Sequence, residues 1–342
     1  MEEKRNFDLL TLGQVLLRLS PPNNDRLVRG DTFVKQVGGA ELNVAVGASL
    51  LGLRTGVISK LPSHDIGSFM KGKIRSYGVS DDFFMYDDSP SARVGIYYYE
   101  NGAYPRKPKV IYDRANSSFY SLKIDEIPEK AYTASRCFHT SGITLALSPK
   151  VRETTIEMIK RFKAAGTLVS FDVNFRGNLW TGEEAKECIE QILPYVDIFF
   201  CSEDTARLTF KKTGTAREMM KSFTEEYPIS IVASTQRIVH SPKSHTFGSI
   251  IYDARKDIYY EEEPYRDIDV VDRIGSGDAY ISGALYGLLT SNFDCEKAVR
   301  YGNATSAVKN TIPGDLPSSD LEEIETIIKA HNQTGFQSEM AR

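Results

Sequence analysis

The sequence predicts an α/β protein built on a doubly wound, mostly parallel sheet flanked by helices, with a second, small β-sheet. Strand-like runs alternate with helical patterns over most of the 342 residues, and two pairs of strand-like segments interrupt that alternation. The 41% of residues that are hydrophobic suffice for a large core. The net charge of −4 argues against the broad cationic surface of a protein that binds nucleic acid or anionic membranes.

The alternating part of the chain predicts the large sheet. A helix over 41–53 separates the first two strands, Ser148 followed by Pro149 marks the start of another helix, and a further helix is expected near 215–226. Strands and helices at this spacing are typical of a parallel sheet, which the hairpin at 249–261 is expected to end. The other expected strands are 7–13, 55–61, 136–142, 167–174, 196–202 and 229–235.

The segments that interrupt the alternation predict the small sheet. They are rich in aromatic and β-branched residues, and we expect 16–22 to pair with 31–37 and 92–102 with 109–115. A small sheet needs something to cover, so a lid over a site or an oligomer contact is its expected use. The expected division is a core of 1–13, 38–91 and 116–332, a lid of 14–37 and 92–115, and a flexible tail of 333–342.

Cysteine usage and the length of apolar runs indicate the compartment. The four cysteines are far apart and form no CxxC pair, which favours buried thiols over disulfides or a zinc site. No apolar run has the length of a signal peptide or a transmembrane helix. We therefore expect a cytoplasmic protein with neither membrane nor nucleic acid as partner. The cysteines are Cys137, Cys188, Cys201 and Cys295.

A glycine-rich turn opens a long apolar run late in the chain. VVDRIGSGDAY, residues 270–280, places Asp278 directly after Gly275, Ser276 and Gly277. The unpaired N–H groups of this GSGD turn would form an anion hole at a helix N-terminus. A carboxylate beside it suits a base that takes a proton from a hydroxyl attacking a phosphoryl group. The alternative is that Asp278 only caps the helix; the turn is neither a Walker A loop nor a dinucleotide fingerprint.

Two regions together resemble a known family. QVGGAELNVAVGASLLG at 36–52 and VVDRIGSGDAYISGALYG at 270–287 are similar to the signature regions of the ribokinase-like (PfkB) carbohydrate kinases. DVNFRGNLW at 172–180 and KNTIPGDL at 309–316 resemble the 2-keto-3-deoxygluconate kinases within that family. The late motif, usually DTxGAGD, here reads DRIGSGD, and the small serine leaves room for the anion hole.

The resemblance implies both chemistry and assembly. Asp278 would be the catalytic base, and the N–H groups of Gly275, Ser276 and Gly277 would hold the transferring phosphoryl group of ATP. Mg²⁺ would shield the phosphates. The small sheet would be a lid that closes over the sugar and joins two copies of the chain in a homodimer, since its edges would otherwise stay unpaired.

Two arginines point to a sugar acid rather than a neutral sugar as substrate. Arg114 and Arg176 lie where the resemblance places the sugar, and a carboxylate needs such a fork of donors. Arg114 could instead be a solvated lid charge, and Arg176 could be structural. Tyr97 and Tyr112 are also implied sugar contacts, although they could instead belong to the lid core. Gly38, Gly39 and Asn43 are implied contacts that could instead form a tight turn, and Asn174 and Asp315 complete the set.

The nucleotide contacts follow from the resemblance with several departures. Ser202 in CSEDTAR stands where the family usually carries the Asn of Asn-x-x-Glu, so the residues that order Mg²⁺ stay open. Thr235 and Arg237 in STQR occupy a turn next to the phosphates, and Arg237 could otherwise be a surface charge. Gly302 and Asn303 begin a segment of small residues that would either line the adenine or pack helices.

The leading hypothesis is therefore an ATP-dependent kinase of the primary hydroxyl of 2-keto-3-deoxygluconate. A fructokinase- or ribokinase-type enzyme is the nearest alternative, and a non-catalytic sugar-acid sensor on the same fold is another. A nucleoside kinase would want an apolar slot, which the charged, tyrosine-rich lid does not offer. The sequence leaves the gluconate and galactonate epimers open, together with the nucleotide base and any monovalent-cation requirement.

Overall fold

The structure, a computed structural model, describes residues 5–331 of the chain. Its strands are β1 (Phe7–Leu12), β2 (Leu16–Ser20), β3 (Val34–Gly38), β4 (Thr55–Pro62), β5 (Phe84–Asp87), β6 (Gly95–Glu100), β7 (Lys109–Asp113), β8 (Ser135–Ser141), β9 (Leu168–Asp172), β10 (Ile198–Phe200), β11 (Ile231–Ser241), β12 (Ser244–Asp253), β13 (Ile258–Glu261) and β14 (Tyr265–Asp269). Its helices are α1 (Ala40–Leu50), α2 (Asp65–Ser76), α3 (Lys130–Thr133), α4 (Gly142–Ala146), α5 (Pro149–Ala164), α6 (Gly182–Glu190), α7 (Glu203–Leu208), α8 (Ala216–Glu226), α9 (Ser276–Thr290), α10 (Cys295–Asn310) and α11 (Leu321–His331).

The large sheet is mostly parallel, as expected. Its strand order is β13-β12-β11-β10-β9-β8-β1-β4-β5, and β14 pairs with β12 beside that path. Every pair from β11 to β5 is parallel, whereas β12, β13 and β14 form antiparallel pairs at one end. The chain runs outward from β1 in both directions, so the order reverses between β1 and β8. Ligands of doubly wound proteins bind at the carboxyl ends of the strands beside such a reversal.

Both faces of the large sheet are covered by helices. One apolar core contains residues of α5, α6 and α8, with Met158 and Phe162 fully buried. A second core contains residues of α1, α9 and α10, with Val44 and Leu285 among its members. The chain is thus a doubly wound α/β protein, and the predicted fold class is confirmed.

The small sheet, called the lid sheet below, has the order β3-β2-β6-β7. The two expected antiparallel pairs, β2 with β3 and β6 with β7, both form, and a parallel pair of β2 with β6 joins them. One face of this sheet packs on α1 and α2 through Leu17, Val37, Leu42 and Met70. The other face looks toward the carboxyl ends of the large sheet.

Some elements differ from the sequence predictions. β3 begins at Val34 rather than residue 31, and the charged strand β14 was not expected. Only Ile268 of β14 is buried, because this edge strand lies largely in solvent and therefore lacks the apolar pattern of a core strand. All four cysteines are buried and unpaired, as predicted. Within residues 5–331, no helix combines the length and apolar character needed to cross a bilayer. The tail expected at 333–342 lies outside the described residues.

Candidate active site

A cavity of about 560 Å³ lies at the carboxyl ends of the parallel strands, between the large sheet and the lid sheet. The loops after β1, β8, β9 and β10 contribute to it, together with β6, β7 and the start of α9. Fifteen of the eighteen sequence-predicted site residues line this cavity. They are Gly39, Asn43, Tyr97, Tyr112, Arg114, Asn174, Arg176, Ser202, Thr235, Arg237, Gly275, Ser276, Gly277, Asp278 and Asp315.

The GSGD turn forms the N-terminus of α9 at the floor of the cavity. Gly275 is the N-cap with φ of 81°, a left-handed conformation that favours glycine. A Cβ atom there would lie 2.1 Å from the carbonyl oxygen of Asp315, whereas one on Gly277 would meet no atom within 4 Å. The amide of Ser276 donates to the carbonyl of Arg273 at 3.3 Å. The N–H groups of Gly277 and Asp278 have no preceding helical turn to bond with.

Asp278 lies in the first turn of α9 and is half-buried. The side-chain amide of Asn43, on α1, donates to its Oδ2 at 2.6 Å. Burial raises the pKa of Asp278 to about 7, although the Asn43 hydrogen bond and the charge of Arg176 act in the opposite direction. A carboxyl group with such a pKa can take up a proton near neutral pH, as a general base must.

A second carboxyl group, Asp172, enters the cavity from the end of β9. Burial, followed by the charge of Asp278, raises its pKa to about 7 as well. The amide of Asn174, which adopts a positive φ of 39°, donates to Asp172 at 3.1 Å. Sequence reasoning missed Asp172. Its place at the carboxyl end of a buried parallel strand was a usable signal, since ligands collect there.

Glu41, in the first turn of α1, is a third carboxyl group that the sequence reasoning missed. It is buried, and Ser141 and Thr144 both donate to its Oε1 at 2.7 Å. Burial raises its pKa, opposed by these two hydrogen bonds. Its hydroxyl partners follow in the chain about a hundred residues later, so no local pattern could have indicated this contact.

Arg114 is a buried guanidinium that forms no ion pair with any acidic side chain of residues 5–331. It lies just after β7, is 8% exposed, and donates through Nε to Oε1 of Gln14 at 2.8 Å. It forms no ion pair within the described residues, although its charge is attracted to the buried carboxyl group of Glu41. Burial lowers the pKa of Arg114. A buried cation facing a cavity favours an anionic ligand, because only an opposite charge would compensate its lost hydration.

Three further arginines reach the cavity: Arg176, Arg237 and Arg273. All three side chains are exposed, and none forms an ion pair with an acidic side chain in the described part of the chain. Desolvation and the neighbouring charges of Arg273 and Arg176 lower the pKa of Arg237. The sequence reasoning assigned no role to Arg273. With Arg114, the cavity lining thus contains four arginines beside four acidic side chains, and none of the four arginines forms an ion pair within the described residues.

Tyr97 and Asp315 belong to a buried network at the back of the cavity. The hydroxyl of Tyr97 lies 2.5 Å from both carboxylate oxygens of Asp315. Arg18, on β2 of the lid sheet, donates to Asp315 at 2.8 Å and to Asp272 at 2.5 Å. The rings of Tyr97 and Tyr112 lie 5.8 Å apart, and Tyr112 is the more exposed of the two.

The remaining predicted residues take two kinds of position. Ser202 caps α7 through a bond from the amide of Thr205 at 3.3 Å, and it lines the cavity together with Thr235. Gly38 ends β3, and Gly302 and Asn303 lie within α10; none of these three lines the cavity.

Packing explains the positions of Gly302 and Asn303. A Cβ on Gly302 would lie 2.7 Å from the ring of Tyr280, so close contact between α9 and α10 requires glycine there. Asn303 is fully buried, accepts from Ser249 at 2.7 Å and donates to Glu262 at 3.1 Å. These contacts give both residues a role in helix packing, and their expected place beside the adenine stays a prediction.

The described residues contain no group of three or more His, Cys, Asp or Glu side chains arranged to hold a metal ion. The cavity instead offers the Asp278 carboxylate next to a helix N-terminus, together with four guanidinium groups and three further carboxyl groups, those of Glu41, Asp172 and Asp315. This arrangement can remove a proton from a hydroxyl and stabilise negative charge on a phosphoryl group and on a carboxylate.

Comparison with known proteins also indicates an enzyme that transfers a phosphoryl group to a sugar. A family model described as pfkB family carbohydrate kinase matches residues 6–320. A 2-dehydro-3-deoxygalactonokinase from Haloferax volcanii is 34% identical over 94% of this chain and 96% of its own. The crystal structure of 2-dehydro-3-deoxygluconokinase from Thermotoga maritima is 31% identical, covers 95% of this chain and 98% of its own, and superimposes with a TM-score of 0.90.

A more distant structure shares the fold alone. It is a putative ribokinase II from E. coli, solved in complex with ATP and Mg²⁺; it is 22% identical over 94% of this chain and 99% of its own, with a TM-score of 0.79. The family match over nearly the whole chain agrees with a cavity that joins a carboxylate, a helix N-terminus and several arginines. The chain therefore belongs to the pfkB family of carbohydrate kinases, phosphotransferases whose acceptor is an alcohol group.

Proposed function

We propose that this kinase transfers the γ-phosphoryl group of ATP to the primary hydroxyl of 2-dehydro-3-deoxygluconate, also called 2-keto-3-deoxygluconate. One observation carries the choice of substrate class: Arg114 is buried, has no acidic partner among the described residues, and lines the same cavity as Asp278. A neutral sugar would leave this buried charge without an ion pair, with only the more distant charge of Glu41 to offset it, whereas a sugar carboxylate would pair with it directly.

In this proposal Asp278 is the general base. Its carboxylate accepts the proton of the primary hydroxyl, the sugar oxygen forms a bond to the γ-phosphorus, and the bond from that phosphorus to the β–γ bridging oxygen breaks to release ADP. The N–H groups of the GSGD turn stabilise the charge on the transferring group. Asn43 holds the Asp278 carboxylate in place through its 2.6 Å hydrogen bond.

The arginines divide between the two substrates. Arg114 and Arg176 bind the sugar carboxylate, since the fork of a guanidinium matches a carboxylate. Arg237 binds a phosphate of ATP from β11, near Ser202 and Thr235. Tyr97, Tyr112, Gly39 and Asn174 border the space left for the sugar. Closure of the lid sheet over the sugar excludes water, which would otherwise hydrolyse ATP.

Mg²⁺ fits this site chiefly through the nucleotide. No ready-made cluster of ligands exists within residues 5–331, and Mg²⁺ usually binds phosphates and waters with one or two carboxylates. Asp172 is the half-buried cavity carboxylate that would order its waters. When bound, Mg²⁺ would neutralise charge on the phosphates.

We further propose a cytoplasmic homodimer that forms through the lid sheet. The four buried, unpaired cysteines are typical of proteins in a reducing compartment. β3 and β7 form the two edges of the lid sheet, and a second copy would cover them.

An ADP-release assay tests the proposed function. Purified protein is incubated with ATP and Mg²⁺ and, separately, with 2-dehydro-3-deoxygluconate, 2-dehydro-3-deoxygalactonate, fructose and ribose. Turnover with the keto-deoxy acids and not with the neutral sugars is the expected result. Turnover with fructose or ribose alone would overturn the proposed substrate class, and binding of the acids without ADP release would favour the sensor alternative.

A further inference from the structure

Lys309 is a buried lysine that the proposed mechanism does not use. It lies near the end of α10 and is 1% exposed. Its ammonium group donates to the main-chain carbonyls of Asp272 at 3.3 Å and Ile312 at 3.2 Å. It forms no ion pair with a carboxylate in the described part of the chain, because both nearby acids are bound elsewhere. Burial lowers its pKa.

The two carbonyl partners belong to the two loops that enclose the start of α9. Asp272 precedes the GSGD turn, and Ile312 opens the loop that contains Asp315. The second loop touches the turn directly, because the carbonyl of Asp315 lies where a side chain of Gly275 would begin. Fixing both loops to one ammonium group therefore fixes the position of Gly275.

The surrounding charges show that the ammonium group is part of a balanced set. Arg18 binds Asp272 and Asp315, and Gly314 donates its amide to Asp272 at 3.1 Å. Arg18 and Lys309 supply two positive charges, and the two aspartates supply two negative ones. Removing Lys309 would leave an excess of buried negative charge behind the very turn that must receive the phosphates of ATP.

We infer that Lys309 is a positioning residue of this kinase: its ammonium group acts as a built-in cation that holds the loops at 272 and 312 together and so aims the N–H groups of the GSGD turn at the phosphoryl group. The inference rests on the proposed function as far as phosphoryl transfer is concerned. It makes no use of the sugar, so it can be tested through ATP alone.

The primary test compares Lys309→Met with Lys60→Met. Lys60, on β4, is a matched control because it is also a buried lysine, at 9% exposed. Its ammonium group donates to the Glu126 carboxylate at 2.6 Å. For Lys309→Met we expect kcat to fall about 10²-fold, as for a small misplacement of catalytic groups. We expect the Kd of ATP, measured by calorimetry, to rise about tenfold and the KM of the sugar to change less than about threefold. Lys60→Met should keep both ATP affinity and kcat.

Chemical rescue separates positioning from general stability. Lys309→Ala, purified and assayed with n-propylammonium chloride, should regain ATP affinity and kcat, because this ion replaces the missing atoms; tetramethylammonium at equal ionic strength, which cannot donate a hydrogen bond, should give no recovery. If Lys309→Met fails to fold, Lys309→Ala is refolded with n-propylammonium or with tetramethylammonium. The amount of folded protein recovered in each case is then the measurement. Retained kcat and ATP affinity in Lys309→Met, or absence of rescue, would overturn the inference. If the wild-type protein binds ATP but phosphorylates none of the sugars, the proposed function fails, while the effect of Lys309→Met on ATP affinity still decides this inference.

Discussion

At the scale of single residues, two effects act on the Asp278 carboxyl group. Burial disfavours its ionised form, whereas the hydrogen bond from Asn43 stabilises that form and fixes its position. We expect Asp278→Asn to lower kcat by at least about 10²-fold, because the amide cannot accept the hydroxyl proton. The folded state favours the protonated form, since the pKa rises from 3.8 to about 7, so the stability that Asp278 contributes is present at low pH and lost as the pH rises through about 7. The variant should therefore unfold at the same or a higher temperature than the wild type at about pH 8. Activity assays and thermal unfolding check both parts, and normal turnover would contradict the base assignment.

The raised pKa of Asp278 also predicts the pH dependence of the reaction. The base must be ionised to accept a proton, so kcat/KM should rise with pH through about 7 and level off above it. A profile measured between about pH 5.5 and 8.5, with the coupling enzymes in excess, checks this. An ordinary aspartate with a pKa near 3.8 would give a flat profile over this range, and a flat profile would count against burial of the reacting carboxylate.

Arg114 predicts the selectivity for acids. Arg114→Met should raise the KM for 2-dehydro-3-deoxygluconate about 10- to 100-fold, the equivalent of about 1.5–3 kcal/mol for charge-assisted hydrogen bonds. Arg93→Met is the matched control, since Arg93 lies beside the same sheet but pairs with Asp113 at 2.7 Å. Steady-state kinetics of both variants provide the measurement. Equal effects of the two substitutions would show that Arg114 does not recognise the carboxylate.

The site could be predicted only as far as its residues lie in recognisable local patterns. The GSGD turn, Arg114 and Arg176 stand in such patterns, and the structure brings them into one cavity. Glu41 depends on hydroxyl groups far away in sequence, and no local signal shows that contact. Gly302 lies in a segment of small residues, which suits both a flat base and close helix packing, so sequence alone could not choose between them.

At the scale of elements, the two glycines at the start of α9 are expected to have different roles, Gly275 in folding and Gly277 in binding ATP. In Gly275→Ala the left-handed backbone costs about 1–2 kcal/mol, and the clash with the Asp315 carbonyl adds to it, so we expect a lower unfolding temperature and loss of turnover. In Gly277→Ala the added methyl group enters open space in the cavity, so we expect a normal unfolding temperature and weaker ATP binding. Thermal unfolding and calorimetry with ATP distinguish the two. Tight ATP binding by Gly277→Ala would contradict the assignment of this turn to the phosphates.

Elements were predictable where burial imposes a pattern on the sequence. β1, β4, β8 and β9 are buried parallel strands, and their apolar runs were sufficient to predict them as strands. The edge strand β14 satisfies its backbone by pairing with β12 and exposes most of its side chains, so its sequence reads as a polar segment. The parallel pair of β2 with β6 joins segments that are distant in the chain, and it could not be read from either one.

At the scale of the whole molecule, the lid sheet is bound to the core by charge as well as by apolar packing. Arg18 on β2 reaches Asp272 and Asp315, which lie on either side of the GSGD turn. The sheet that would cover the sugar and the turn that would hold the phosphates therefore share one buried network. A shift of the lid sheet would disturb both, so a second copy that packed on the part of the sheet left exposed by α1 and α2 would support the whole site.

The part of the lid sheet that α1 and α2 leave exposed predicts the assembly. Tyr97 and Tyr112 line the cavity, so their neighbours Tyr98 and Ile111 lie on the opposite face, which packs on α1 and α2 at its other end. The ring centroids of Phe33 and Tyr98 lie 5.9 Å apart on this face. Ile111 is 55% exposed and Phe33 45% exposed, an apolar patch that a second copy would bury.

We expect the wild type to have the mass of a dimer by light scattering and Ile111→Asp to have that of a monomer, because a carboxylate in a buried apolar contact is costly. Ile238→Asp is the control, since Ile238 is 58% exposed on β11 of the large sheet rather than on the lid sheet. A dimer that survives Ile111→Asp and is lost in Ile238→Asp would move the interface to the β11–β12 hairpin. A monomeric wild type would contradict the proposed dimer.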